Sequence, residues 1–252
     1  MFLQFPEGFF WGSATSSHQV EGGNNGNDWY AWEKISGRIR DGSTSGDACD
    51  QYHCFSEDFA LAASLGQNAH RLSLEWSRIA PRMGEWDMDE VMHYRTVLRA
   101  LKDRGIKTVV TLWHFTLPQW FAETGGWERA DAVELFCRYG EFIATELKDL
   151  VDVWVTMNEP NVYVGQGYYA GVWPPGVKSF FRMRRVFDHL ADAHRRLYNR
   201  LHAVIDRDAQ KAMVGVAINW TTFAPYRMSS LLDKVVAWSA HFFYNRLECS
   251  FE

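Results

Sequence analysis

Short runs of apolar, β-branched and aromatic residues recur five times along the chain, and most lead into apolar positions at helical spacing. The first run covers 9–15. A polar loop rich in Gly and Asn follows over 22–28 and 37–46, interrupted by Trp29, Tyr30 and Trp32. Ser56, with Glu57 and Asp58 behind it, reads as the N-cap of a short helix that Gly66 ends. The second run, 69–76, precedes a helix expected over 89–104, with Val91, Tyr94, Leu98 and Leu101 on one face and Gly105 as its stop. The third, 107–113, ends at His114, and a helix expected over 132–147 turns Val133, Phe136, Phe142 and Ile143 inward. The fourth, 151–155, closes in Thr-Met-Asn-Glu-Pro-Asn at 156–161. After a Gly-, Pro- and aromatic-rich loop over 165–176, a long helix is expected over 180–205. The fifth run, 212–218, ends at Asn219 and Trp220, and 231–243 is patterned as one more helix.

Strands alternating with helices imply parallel pairing and right-handed crossovers, hence an α/β fold. Polar residues mark the C-terminal ends of the strands: His18 and Gln19 just past the first, then Glu75, His114, Asn158 with Glu159, and Asn219. Such a ring suits the mouth of a (β/α)8 TIM barrel, and no Gly-x-Gly-x-x-Gly turn supports a doubly wound sheet. By length, 252 residues could make a minimal barrel. By strand count only five of eight are present, and each βα unit consumes roughly 40–60 residues. The expectation is a single incomplete barrel domain over 1–252, stopping before strands six to eight. Glu159 at a strand mouth is either chemistry or a helix cap; position alone leaves both open.

Composition narrows the classes. The chain is 47% hydrophobic and 23% charged, as an ordinary globular protein is, and its net charge of −5 offers no general attraction for nucleic acid or an anionic membrane. Aromatic residues are abundant, with 12 Trp, 10 Tyr and 17 Phe, and many stand beside loop residues. Indole faces in a cleft suit the apolar C–H faces of sugars. No apolar run reaches membrane-spanning length, and the start of the chain does not read as a secretory signal. Cys49, Cys54, Cys137 and Cys249 lack zinc-type spacing and read as reduced thiols, so a cytoplasmic location is expected. His18, His53, His70 and His114 lie on different elements without ligand spacing, so neither a metal nor a cofactor is expected.

Four stretches in this order resemble glycoside hydrolase family 1, the β-glucosidases and their relatives. They are 9–22 (Phe-Phe-Trp-Gly-Ser-Ala-Thr-Ser-Ser-His-Gln-Val-Glu-Gly); Tyr52 with 71–79 (Arg-Leu-Ser-Leu-Glu-Trp-Ser-Arg-Ile); 112–120 (Leu-Trp-His-Phe-Thr-Leu-Pro-Gln-Trp); and 156–161. The resemblance implies a retaining β-glycosidase with Glu159 as general acid/base. It implies that Gln19, His114 and Asn158 hold sugar hydroxyls, that Arg71 steadies a nucleophilic carboxylate, and that Asn219 is an amide near the site. Retention needs two carboxyl groups about 5–5.5 Å apart. The family's nucleophile lies in a Thr-Glu-Asn-Gly motif that these 252 residues do not contain, and Phe115 stands where many members carry Trp. The partners implied are a β-linked glycoside and, for the absent strands, a complementing C-terminal fragment.

Other readings compete with these roles. Glu75 could stand in for the missing carboxylate, or simply pair with a neighbouring Arg; Glu21 reads as a loop anchor. Arg182 to Arg185 and His194 to Arg196 read as a solvated helix face. Trp29, Trp32, Trp120 and Trp173 are open between sugar platforms and loop packing. A protein that kept the sugar contacts and discarded catalysis is the alternative function.

Overall fold

Parallel strands β1 (Gly12–Ala14), β2 (Ala69–Ser73), β3 (Lys107–Trp113), β4 (Val153–Asn158) and β5 (Met213–Ala217) pair in sequence order, forming one five-stranded sheet in a computed structural model. Residues 4–206 and 213–246 are described; Ala212 and Cys249 lie outside them. The strands alternate with the helices α1 (Gln51–Ser64), α2 (Met88–Lys102), α3 (Ala132–Leu147), α4 (Phe180–Ile205) and α5 (Leu231–Arg246). This is the strand order of consecutive units of a (β/α)8 barrel, incomplete at five strands. In-register parallel pairing, with Arg71 opposite Val109 and Val109 opposite Val153, brings the C-terminal ends of β2, β3 and β4 to one side.

The helices follow the apolar spacing, with informative exceptions. Helix α1 begins at Gln51 rather than Ser56. Asp50, at φ 51°, carries no side-chain cap, but its carbonyl takes Cys54 N–H at 3.0 Å while Glu21 O takes Tyr52 N–H at 3.2 Å. A contact with the β1 loop therefore extends the helix past its local start signal. Strand β2 ends at Ser73 because Glu75 turns back to cap a short helix, Trp76–Ile79, accepting Ser77 N–H. At α2, Asp87 accepts from the N–H groups of Asp89 and Glu90, as a good N-cap does.

Aromatic side chains build the core between sheet and helices. Trp76 stacks on Tyr139 with ring centres 4.9 Å apart, and Trp127 packs edge-on against Trp113 at 5.1 Å and Phe136 at 5.3 Å. Helices α3 and α4 approach closely at Gly140, where a Cβ would lie 2.5 Å from Leu197 Cδ1. On α4 the expected solvated face holds for Arg182, paired with Glu128 at 2.6 Å, and Arg184, paired with Asp188 at 3.0 Å. It fails for Met183 and His194, which are buried; His194 Nδ1 lies 2.8 Å from Thr156 Oγ1 on β4. A 3.6-residue period turns some residues of any such cluster inward.

Beneath the strand ends lies a buried polar network. Glu75, fully buried, accepts from Ser77 Oγ (2.6 Å) on Oε1 and from Ser17 Oγ (3.0 Å) and Thr116 Oγ1 (3.1 Å) on Oε2. It pairs with these hydroxyls rather than with the arginine expected. Tyr94 Oη accepts Glu75 N–H at 2.9 Å and donates to Glu21 Oε1 at 2.8 Å, and Arg78 Nε reaches Glu21 Oε2 at 3.2 Å. Above Arg78, the Tyr52 ring is sandwiched between that guanidinium at 4.3 Å and the His93 ring at 3.7 Å.

Two outcomes follow from this packing. Glu75→Gln would set amide hydrogens against hydroxyl donors, so it should lower stability by roughly 1–3 kcal/mol in urea unfolding; an unchanged midpoint would count against the network. Burial, and then the charges of Arg78 and His53, push the His93 pKa from its ordinary 6.5 down to about 4. Between these values the unfolded chain binds the extra proton, so stability should fall as pH drops through that window. His93→Gln should reduce that slope, and equal slopes in both proteins would refute the assignment.

Candidate active site

Arg71 stands in the middle of β2, and His114, Asn158, Glu159 and Asn219 stand at or just past the C-terminal ends of β3, β4 and β5. Arg71, on β2, is partly buried and reaches two further strands: Nε donates to Thr111 Oγ1 on β3 at 2.9 Å, and Nη2 donates to Asn158 Oδ1 on β4 at 2.6 Å. Burial lowers its pKa from the usual arginine value, and the negative charge of Glu159 acts in the opposite direction. Among the described residues no carboxylate makes an ion pair with it.

Glu159 follows β4 directly and stands at φ 40°, ψ 58°, a left-handed conformation uncommon for a residue with a side chain. Two features hold it there. Its N–H donates to Ala217 O on β5 at 2.7 Å, and Pro160 opens the short helix Pro160–Val164, for which Glu159 is the N-cap. Its Oε1 accepts from Asn219 Nδ2 at 3.0 Å. Asn219 is fixed in turn: Asn161 Nδ2 holds its carbonyl at 3.1 Å, while Tyr244 Oη and Thr221 Oγ1 donate to its Oδ1 at 2.9 and 3.2 Å.

Gln19 and His114 lie in a neighbouring cleft of about 130 Å³, together with Ser16, His18, Trp29, Phe115, Thr116 and Trp173. Burial, with the charge of Arg71 adding to it, pushes the His114 pKa down to about 4. The imidazole is thus neutral near pH 7 and able both to donate and to accept. Among the described residues its buried Nδ1 has no hydrogen-bond partner. Gln19 is exposed at the rim, and Asn27 Nδ2 lies 3.1 Å from His18 Nδ1 beside it. The charge of Arg71 thus acts on His114, and that of Glu159 acts on Arg71.

The four tryptophans left open divide evenly. Trp29 and Trp173 meet edge to face at 5.3 Å and wall the cleft, with Phe115 against Trp173 at 5.1 Å. Trp32 is buried under the Arg38 guanidinium at 4.1 Å, and Trp120 Nε1 donates to Ala80 O at 2.8 Å, so both serve packing. Phe115 itself stands at φ 75° in a turn that Trp113 Nε1 closes on Thr116 O at 3.0 Å. Sequence patterning missed Thr221 and Tyr244. No local signal marks them, since Tyr244 sits within an apolar helix and meets Asn219 only through folding. Among the described residues no three His, Cys, Asp or Glu side chains converge as a metal site would, and no helix is long and apolar enough to cross a membrane.

The chain is similar to several known proteins. "Beta-glucosidase A" of Acetivibrio thermocellus is 34% identical over 229 residues, 88% of this chain and 50% of the relative. "Coniferin beta-glucosidase" of Pinus contorta is 40% identical over 178 residues, 68% of this chain and 35% of the relative. Among solved structures, a β-glycosidase from Pyrococcus horikoshii superposes with TM-score 0.88 at 38% identity, covering 98% of this chain and 55% of that one. A Thermotoga maritima β-glucosidase in complex with glucoimidazole gives TM-score 0.90 at 29% identity, covering 95% and 55%. The chain spans about half the length of the curated bacterial relative it matches. The family model described as glycosyl hydrolase family 1 matches residues 1–247, and on this evidence, together with the fold, the chain belongs to that family.

Proposed function

We propose that residues 1–252 form one partial barrel domain, the acid/base-bearing part of a retaining β-glycosidase acting on β-linked glucosides. The observation that carries this reading is the pairing of Arg71 with Asn158 and of Asn219 with Glu159, which brings side chains from β2 and from the end of β5 onto adjacent residues at the end of β4. Glu159 protonates the leaving oxygen as the glycosidic bond breaks, then as carboxylate takes a proton from the water that releases the sugar. Asn158 holds the 2-hydroxyl, where hydrogen bonds strengthen in the oxocarbenium-like transition state. Gln19 and neutral His114 orient other hydroxyls in the aromatic-walled cleft, which limits lost motion in the reactive complex.

The nucleophile is contributed by strands six to eight, from sequence outside these residues or from a complementing fragment. Arg71 supports this. Its charge is met by an amide and a hydroxyl, which suits a cation that steadies a carboxylate arriving from another strand. No cofactor enters the chemistry. The free Cys49, Cys54 and Cys137 thiols suit the reducing cytoplasm.

The 252-residue chain alone should not turn over an aryl β-glucoside, whereas addition of a family 1 fragment carrying strands six to eight should produce hydrolysis. Robust turnover by the pure lone chain would overturn the reading. In the completed barrel, Glu159→Gln should lower kcat/KM for phenyl β-glucoside by roughly 10²–10⁴-fold. Calorimetry of the lone chain with glucose or a glycosidase inhibitor should show no saturable binding. Tight binding without turnover in the completed barrel would favour a sugar-binding protein that discarded catalysis.

A further inference from the structure

Turning an asparagine amide over exchanges a donor for an acceptor in nearly the same volume. At Asn219 this exchange has a chemical consequence. With Nδ2 toward Glu159, Oε1 is held as an acceptor at 3.0 Å. With the amide reversed, an oxygen would face the carboxyl group. Opposite an ionised Glu159, two acceptors would meet. Opposite a protonated one, the amide oxygen would take the acid's hydrogen bond and hold the proton away from the glycosidic oxygen.

The choice is made on the far side of Asn219. Its Oδ1 is the acceptor for two hydroxyls, Tyr244 Oη at 2.9 Å and Thr221 Oγ1 at 3.2 Å. Among the described residues these hydroxyls have no other hydrogen-bond partner, so a reversed amide could donate to their oxygens but would leave both O–H hydrogens without a protein acceptor. The surrounding backbone has little freedom to adjust. Buried Asn245, beside Tyr244 on α5, accepts Thr221 N–H at 3.3 Å and donates to Thr221 O at 2.9 Å. Asn161 holds the Asn219 carbonyl from the β4 side at 3.1 Å. Amide rotation is the freedom left, and the two hydroxyls set it.

We propose that Tyr244 and Thr221 are positioning residues for the acid/base Glu159, acting through Asn219 to keep Oε1 an acceptor and leave the catalytic proton on Oε2. This rests on the reading of Glu159 as the acid. In the step it serves, the Oε2–H bond breaks as the proton passes to the glycosidic oxygen. The C1–O bonding pair goes to that same oxygen, and the nucleophilic carboxylate of the missing strands bonds C1. Helix α5, remote in sequence from the acid, thereby becomes part of the acid's support.

Two measurements test this separately. In the lone chain, the ¹⁵N-labelled Asn219 side-chain amide, identified by its loss in Asn219→Ala, should shift and exchange faster with solvent in Thr221→Val/Tyr244→Phe. Tyr244→Phe alone should give a smaller change of the same sign. An unchanged Asn219 amide in a folded variant overturns the proposal. In the barrel completed with strands six to eight, Tyr244→Phe should lower kcat/KM about tenfold for phenyl β-glucoside, whose leaving group needs the proton, and less than about twofold for 2,4-dinitrophenyl β-glucoside, which does not. Equal losses on both substrates would assign Tyr244 a structural role only. If the completed wild-type barrel hydrolyses neither, the functional reading fails while the amide measurement still decides the positioning claim.

Discussion

A guanidinium drawn in among the strand ends organises the mouth of this sheet. Removing a charged group from water is costly unless its donors are met, and Arg71 meets that demand with Thr111 on β3 and Asn158 on β4. One side chain on β2 thus ties β3 and β4 together. Its charge also lowers the His114 pKa, and the negative charge of Glu159 acts back on Arg71. The arrangement exists only because parallel pairing in sequence order delivers the C-terminal ends of consecutive strands to the same edge.

Two of the four non-glycine residues at positive φ among the described residues stand at that edge, the other two, Ala48 and Asp50, preceding α1. Phe115 and Glu159, both at positive φ, directly follow β3 and β4 or lie one residue beyond. Each such conformation costs on the order of 1–3 kcal/mol and persists only when its surroundings over-determine it. At Phe115 the restraint is the Trp113 indole closing on Thr116, whose hydroxyl is in turn held by buried Glu75. At Glu159 it is the hydrogen bond to Ala217 and the proline that follows. The Glu75 network therefore serves the mouth from beneath, as a foundation for the turn that carries His114.

The aromatic residues divide by depth. Trp76, Trp113, Trp127, Phe136 and Tyr139 are enclosed between sheet and helices, whereas Trp29, Phe115 and Trp173 form an open wall beside Gln19 and His114. Composition could count these rings but could not sort them. The sorting depends on which loops fold over which strand end, and those loops meet from separate parts of the chain.

Much of the architecture was legible beforehand. Strand β3 and helices α3 and α4 occupy the residues that local patterning indicates, because the apolar spacing of each is continuous over its length. The α1 start and the inward His194 were not legible, since a contact with the β1 loop decides the first and the facing of one helix turn decides the second. The chain's own sequence determined the strand–helix alternation, the polar residue at each strand end and the family motifs, all properties of neighbouring residues and their spacing. Only the tertiary structure decided that Arg71 bridges three strands, that Glu75 is buried among hydroxyls, and that Tyr244 reaches Asn219 behind Glu159. Those relations join residues far apart in sequence, and no local pattern encodes which distant groups will meet.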